Sequence, residues 1–235
     1  MSALCRIGGC FLVLPGFAGS ALPLQVRLFV VLGLAITIAP TLPAPALAAD
    51  HWAALLKLVA GETFIGLMFG LLGRFAYLAL GFIVSAMALA TGYGNIPGTA
   101  MEPSEPQSAL GTFVTFSALL MLFQLDFHHH VIAALAGSYV LMPVGAPIEP
   151  AMALADMGAT VQASFIVALK IGSPFLVYAL VANGTIGIIN KLTPQIPVYF
   201  VSLPFLLTGG LLLLYATLPT MLMLFATHVV GLYGG

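Results

Sequence analysis

From Ala46 to Ile96 the chain contains no proline, and the middle of that stretch, residues 52–90, is apolar almost throughout. A helix satisfies its own backbone N–H and C=O groups, so it is the form in which such a run meets an apolar surrounding. As one helix, residues 52–90 measure about 60 Å at 1.5 Å per residue, twice the hydrocarbon core of a bilayer. Either the run turns back near Gly73 and Arg74, or it projects well beyond the membrane. The rest of the chain is built from the same material. It is 61% hydrophobic and 6% charged, against about 25% charged in soluble domains, and it lacks the strand-like alternation of an outer-membrane barrel. The fold class is an all-α membrane protein, read as one domain over residues 1–235.

Prolines divide this domain better than charges do. The expected helical segments are 3–14, 24–39, 52–90, 110–142, 151–182 with Pro174 as a kink, and 198–231 bent at Pro204 and Pro219, about six in all and of unequal length. "QLDFHHH" interrupts the fourth segment, and "NGTIGIINKLTPQIP" (183–197) reads as a polar break between the last two. Arg27, Lys57, Arg74, Lys170 and Lys191 fall on both sides of any simple alternation, so the charge rule assigns no topology. Two stretches look like secretory signals, Arg6 with "IGGCFLVLPGFAGSA" and Arg27 with the run ending "APALAAD". Cys5 and Cys10 would point about 140° apart on a helix, which reads as two thiols and no bridge. Six basic and seven acidic residues, scattered along the chain, leave no patch for nucleic acid.

Few residues carry chemistry. Three consecutive histidines, 128–130, point about 100° apart on a helix and cannot converge on one metal, so no metal site is expected. Asp126 and His130 stand at i and i+4, which suits a structural polar pair; as ionisable groups among apolar residues they also suit a proton relay. Glu62 is a carboxylate in an apolar helix and needs a partner, a cavity or water. It precedes Gly66 and Gly70, a GxxxG pair that admits a close neighbour, either within the chain or across a subunit interface. Neither a phosphate loop, nor a nucleophile with its base, nor a pair of catalytic carboxylates can be assembled. The reading is a non-enzymatic protein without a cofactor.

The stretch "TGYGNIPGTAMEPSEPQSALG" (91–111) stands apart. It holds three prolines, four glycines and two glutamates but no basic residue, and it joins two apolar segments that a short turn would connect. A plain solvent-exposed loop fits this composition. So does a segment that occludes a lumen, since irregular backbone at membrane depth is tolerated where it is buried in protein or lines a cavity.

Four collinear stretches, "CRIGGCFLVLPGFAGSALPLQVRLFVVLGLAITIAPTLPA", "GETFIGLMFG", "EPSEPQSALGTFVTFSALLMLFQLDFHHHVIAALAGSYVLMPVG" and "NGTIGIINKLTPQIPVYFVSLPFLLTGGLLLL", resemble the FliR family of the bacterial flagellar type III export gate. The resemblance implies a bacterial inner-membrane subunit of the flagellar basal body, in contact with lipid. Its implied partners are FliP-like, FliQ-like, FlhB-like and FlhA-like proteins, and its cargo is unfolded flagellar proteins driven by the proton-motive force. It implies kinked helices arranged as hairpins, similar to a FliP-like part fused to a FliQ-like part. It also implies that the loop at 92–109 plugs the closed channel, through Gly92, Gly94, Pro97, Gly98, Met101, Glu102, Pro103, Glu105, Pro106 and Gln107. The chain departs from the family in a shorter first helix, in Glu102-Pro103 where many members have Asp-Pro, and in "SAMALATGYG", which lacks the usual glutamine and glycine. An injectisome export-gate subunit, a small-solute transporter and a membrane subunit without a pore are the alternatives.

Overall fold

Seven α-helices follow one another among the described residues: α1 (Ser2–Val13), α2 (Leu24–Ile38), α3 (Trp52–Ala90), α4 (Ala109–Gln124), α5 (Phe127–Leu141), α6 (Pro150–Leu192) and α7 (Val198–Gly231). The structure is a computed structural model that describes residues 2–18, 22–41, 52–95, 108–145, 150–195 and 197–234. By length and hydropathy α3, α6 and α7 can each cross a membrane, and α4 with α5 counts as a fourth span if the broken pair is taken as one. The protein is an all-α membrane protein, as its composition requires.

Hydroxyl groups are absorbed within the helices themselves. Thr63, Ser85, Thr115, Thr185, Thr217 and Thr227 each donate to the carbonyl four residues back, at 2.7 to 2.9 Å, so these side chains need no water in an apolar surrounding. The same bonding explains one difference from the sequence reading. The stretch 183–197 does not break where expected; α6 continues to Leu192, with Asn183 Nδ2 on Ala179 O (2.9 Å) and Thr185 Oγ1 on Val181 O (2.8 Å). Polar residues that bond back to their own helix do not end it.

The expected segment 110–142 is two helices. Asp126 stands between them at φ 54°, ψ 30°, a left-handed conformation that a short polar side chain tolerates. Its carbonyl accepts the N–H groups of His129 (2.8 Å) and His130 (3.3 Å), which starts α5 in a new direction.

The long run 52–90 does not turn back. α3 is a single helix of 39 residues, about 58 Å long. At Gly73, where a turn was one of the options, the Tyr233 hydroxyl enters the helix ladder. It accepts from Gly73 N–H (3.0 Å) and donates to Phe69 O (2.7 Å), the two groups that an undisturbed helix would join directly. A Cβ at Gly73 would lie 2.9 Å from that oxygen. Burial raises the Tyr233 phenol above its ordinary value, with the Gly73 bond working the other way, so it stays protonated and able to donate at neutral pH. A second tyrosine reaches α7: the Tyr178 hydroxyl donates to Leu206 O (2.9 Å), and a Cβ on Gly209 would collide with it.

Two compact units emerge, the first made of Met1–Tyr77, Leu122–Ala163 and Val229–Gly235, the second of Leu78–Met121 and Ser164–His228. The first is filled by Ile7, Cys10, Phe11 and Leu14 of α1, with Phe127, Val131 and Leu135 of α5. Phe127 meets Tyr233 edge-on at 5.4 Å. The second is filled by Leu80, Val84 and Met87 of α3, Val114 and Ala118 of α4, Phe175 of α6 and Phe225 of α7.

Candidate functional site

Glu62 has its partner inside the chain. In the first unit the Arg6 guanidinium, 0% exposed, forms a fork with the Glu62 carboxylate, 2% exposed: Nε donates to Oε2 at 2.8 Å and Nη2 to Oε1 at 3.1 Å. Two further donors are also used. Nη1 bonds Ser138 Oγ (2.9 Å) and Nη2 bonds Met142 O (3.0 Å), while Gly145 N–H donates to Glu62 Oε1 (3.4 Å). The guanidinium carbon lies 3.8 Å from the centre of the Tyr139 ring, a cation–π contact. α1, α3, α5 and the turn after α5 therefore meet on one satisfied charge pair.

The glycines of the GxxxG pair allow this meeting. A Cβ on Gly66 would collide with the Arg6 carbonyl, and one on Gly70 would lie 2.5 Å from the Cys10 carbonyl. On the facing helix, a Cβ on Gly9 would lie 2.5 Å from Thr63 O. The close neighbour of Gly66 and Gly70 is thus α1 of the same chain, and their lack of side chains places Arg6 within reach of Glu62. Sequence reasoning noted Arg6 only as part of a signal-like stretch, and missed Ser138 and Tyr139. The available signal was a basic residue in an apolar helix, which calls for a partner; identifying Glu62 as that partner needs the fold.

Asp126 and His130 are brought together through the backbone, by the bond from His130 N–H to Asp126 O. The imidazole beside the Asp126 carboxylate is that of His129, at 3.4 Å from Nδ1 to Oδ1. Because Asp126 lies outside the helical register, the i, i+4 rule does not govern its side chain.

The proline-rich loop is described at its ends. In the second unit α3 is followed by Thr91 and by Gly92, whose φ of 84° favours a residue without a Cβ. Thr91 Oγ1 bonds Met87 O (2.8 Å), and Tyr93 Oη bonds Leu207 O (3.1 Å). A Cβ on Gly94 would lie 2.5 Å from Leu89 Cδ2. At the other end Ser108 Oγ accepts Gly111 N–H (3.1 Å) and starts α4. Pro97, Gly98, Met101, Glu102, Pro103, Glu105, Pro106 and Gln107 lie outside the described residues. Also in the second unit, Ser164 Oγ and His228 Nε2 lie 3.1 Å apart, a polar contact between α6 and α7 that the sequence reading did not single out.

Comparison with known proteins completes the picture. Residues 1–231 match the family described as bacterial export proteins, family 1. The chain is 30% identical to the flagellar biosynthetic protein FliR of Caulobacter vibrioides, over 91% of this chain and 85% of that one. It is 25% identical to the FliR proteins of Aquifex aeolicus (95% and 86% covered) and Escherichia coli (92% and 82% covered). A match running from the first residue to residue 231, over a chain that is helical and apolar in all seven of its described α-helices, makes this protein a member of the FliR family of bacterial export proteins.

Proposed function

We propose that this chain is a subunit of the flagellar protein-export gate in the bacterial inner membrane, and that with FliP-like and FliQ-like subunits it forms a channel for unfolded flagellar proteins. FlhB-like and FlhA-like proteins complete the assembly. The match to the export family over residues 1–231 carries this reading. Membership makes the chain a membrane component of the flagellar export apparatus and not an enzyme. The curated relatives bear flagellar names, which favours the flagellum over the injectisome.

Two features support a role among partners. Apolar side chains stand outward on the long helices, among them Leu180 and Phe205, each 76% exposed. On α6, Asp156 borders a groove lined by Phe64, Met68, Leu72, Met142 and Met157, and it has no ion-pair partner among the described residues. A carboxylate beside methionines suits an apolar neighbouring helix that carries a basic residue.

The loop at 92–109 acts in this reading as the plug of the closed channel. Its composition and its position in the order of family motifs support that role, as does the helix cap at each end. Deleting residues 95–106 in the assembled gate and measuring ion or small-dye leakage without cargo tests the reading. Leakage with an intact complex is expected; a deletion as tight as the parent rejects the plug. Co-purification with FliP-like and FliQ-like subunits tests the partners separately.

A further inference from the structure

His128, His129 and His130 follow one another on the continuous helix α5 and cannot all converge on one metal, but the chain is broken just before them, at Asp126. Asp126 is left-handed and α5 begins directly after it, so the carboxylate lies beside the first turn of α5 instead of on a helix above it. Asp126 Oδ1 comes within 3.4 Å of His129 Nδ1, and the His128 and His129 rings are 4.2 Å apart between centres. One ligand atom from each of Asp126, His128 and His129 lies within 4.8 Å of the other two. An independent observation concerns His128. Its Nδ1 is buried and has no hydrogen-bond partner among the described residues, an unmet need that buried ring nitrogens seldom show.

We propose that Asp126, His128 and His129 form a binding site for a divalent first-row transition metal ion, with Zn2+ the best match. Two imidazoles and a carboxylate are a donor set for zinc and its neighbours, and not for the harder Mg2+ or Ca2+. Donors about 2.0 to 2.2 Å from a tetrahedral zinc are about 3.3 to 3.5 Å from each other. The Asp126–His129 separation already has this value. His129 and Asp126 are 69% and 67% exposed, so rotation of these side chains can bring the third edge in, and water completes the coordination. The ion would hold Asp126 in its left-handed conformation and so fix the break between α4 and α5. His130 is outside the set, because the ligand atoms that converge belong to Asp126, His128 and His129.

The test uses the full-length chain, extracted in mild detergent with the export subunits that accompany it through a tag free of histidine, and stripped with a chelator. Zn2+ is titrated calorimetrically, and Co2+ by visible absorption, which distinguishes four-coordinate from six-coordinate ions. The expected result is one ion per chain with intense four-coordinate Co2+ bands. Asp126→Asn, His128→Ala and His129→Ala should each weaken binding by about 10-fold or more, and His130→Ala should leave it unchanged. Should His128→Ala fail to assemble because His128 is partly buried, the two exposed positions decide the outcome. Binding indifferent to Asp126→Asn and His129→Ala, equal loss on His130→Ala, or no binding at all overturns the site and leaves an ordinary surface contact between Asp126 and His129.

Discussion

Arg6 and Glu62 place two charges where water does not reach, so each is tolerable only because of the other. Breaking a buried pair from one side costs about 3 to 5 kcal/mol, while replacing both members with apolar residues of similar size is often neutral or stabilising. Glu62→Ala is therefore expected to destabilise the first unit by about that amount, and Arg6→Met combined with Glu62→Leu to recover most of the loss. Thermal denaturation of the detergent-solubilised complex checks both; a double variant as unstable as Glu62→Ala would show that the pair acts through something besides mutual compensation. At the neighbouring positions volume decides. Gly66→Ala puts a methyl group into the Arg6 carbonyl, whereas a Cβ on Gly137 of α5 meets nothing within 4 Å. The first substitution should lower the melting temperature, and the second should stabilise by about 0.5 to 1 kcal/mol through helix propensity.

At the level of whole elements, the tyrosine inserted into α3 and the one that reaches α7 provide a direct experiment. Tyr233→Phe removes one donated and one accepted bond but lets Gly73 N–H approach Phe69 O again, so a loss of only about 1 kcal/mol is expected. Gly73→Ala should cost more in the parent, because its Cβ collides with the hydroxyl, and less when Tyr233 is already Phe. A double-mutant cycle on thermal stability measures that coupling. Additive effects would mean that the hydroxyl and the glycine do not share one site. For Tyr178 the same cycle applies with Gly209, whose Cβ would collide with the Tyr178 hydroxyl, whereas a Cβ on Gly210 meets Thr91 (2.8 Å) and serves as the control.

For the molecule as a whole, exposed apolar surface is the governing fact. Produced alone, the chain is expected to aggregate or to be degraded, and co-production with FliP-like and FliQ-like proteins should raise its steady-state level in membranes. Immunoblots of membrane fractions and size-exclusion profiles in detergent check this. A monodisperse monomer that persists without partners would show that lipid alone suffices to cover those faces.

Composition and proline placement determined, with no coordinates, that this is an all-α membrane protein, because lipid admits few ways to satisfy a backbone. They also placed most helices, since hydropathy and proline act locally. The ordered motifs carried the family, but none of them showed which side chains meet. Arg6 and Glu62 are 56 residues apart, and their pairing depends on two helices approaching at glycine. The hydroxyl of Tyr233 reaches α3 across 160 residues to Gly73, a contact that no local pattern encodes. Asp126 is the converse case, where one backbone angle, invisible in the letters "QLDFHHH", replaced the i, i+4 pairing expected of a helix with a turn that gathers different side chains. Short-range preferences are written into a sequence residue by residue; which distant groups share a buried charge, a ladder or a turn is decided by packing, where the cost of burying an unmet polar group falls on the molecule as a whole.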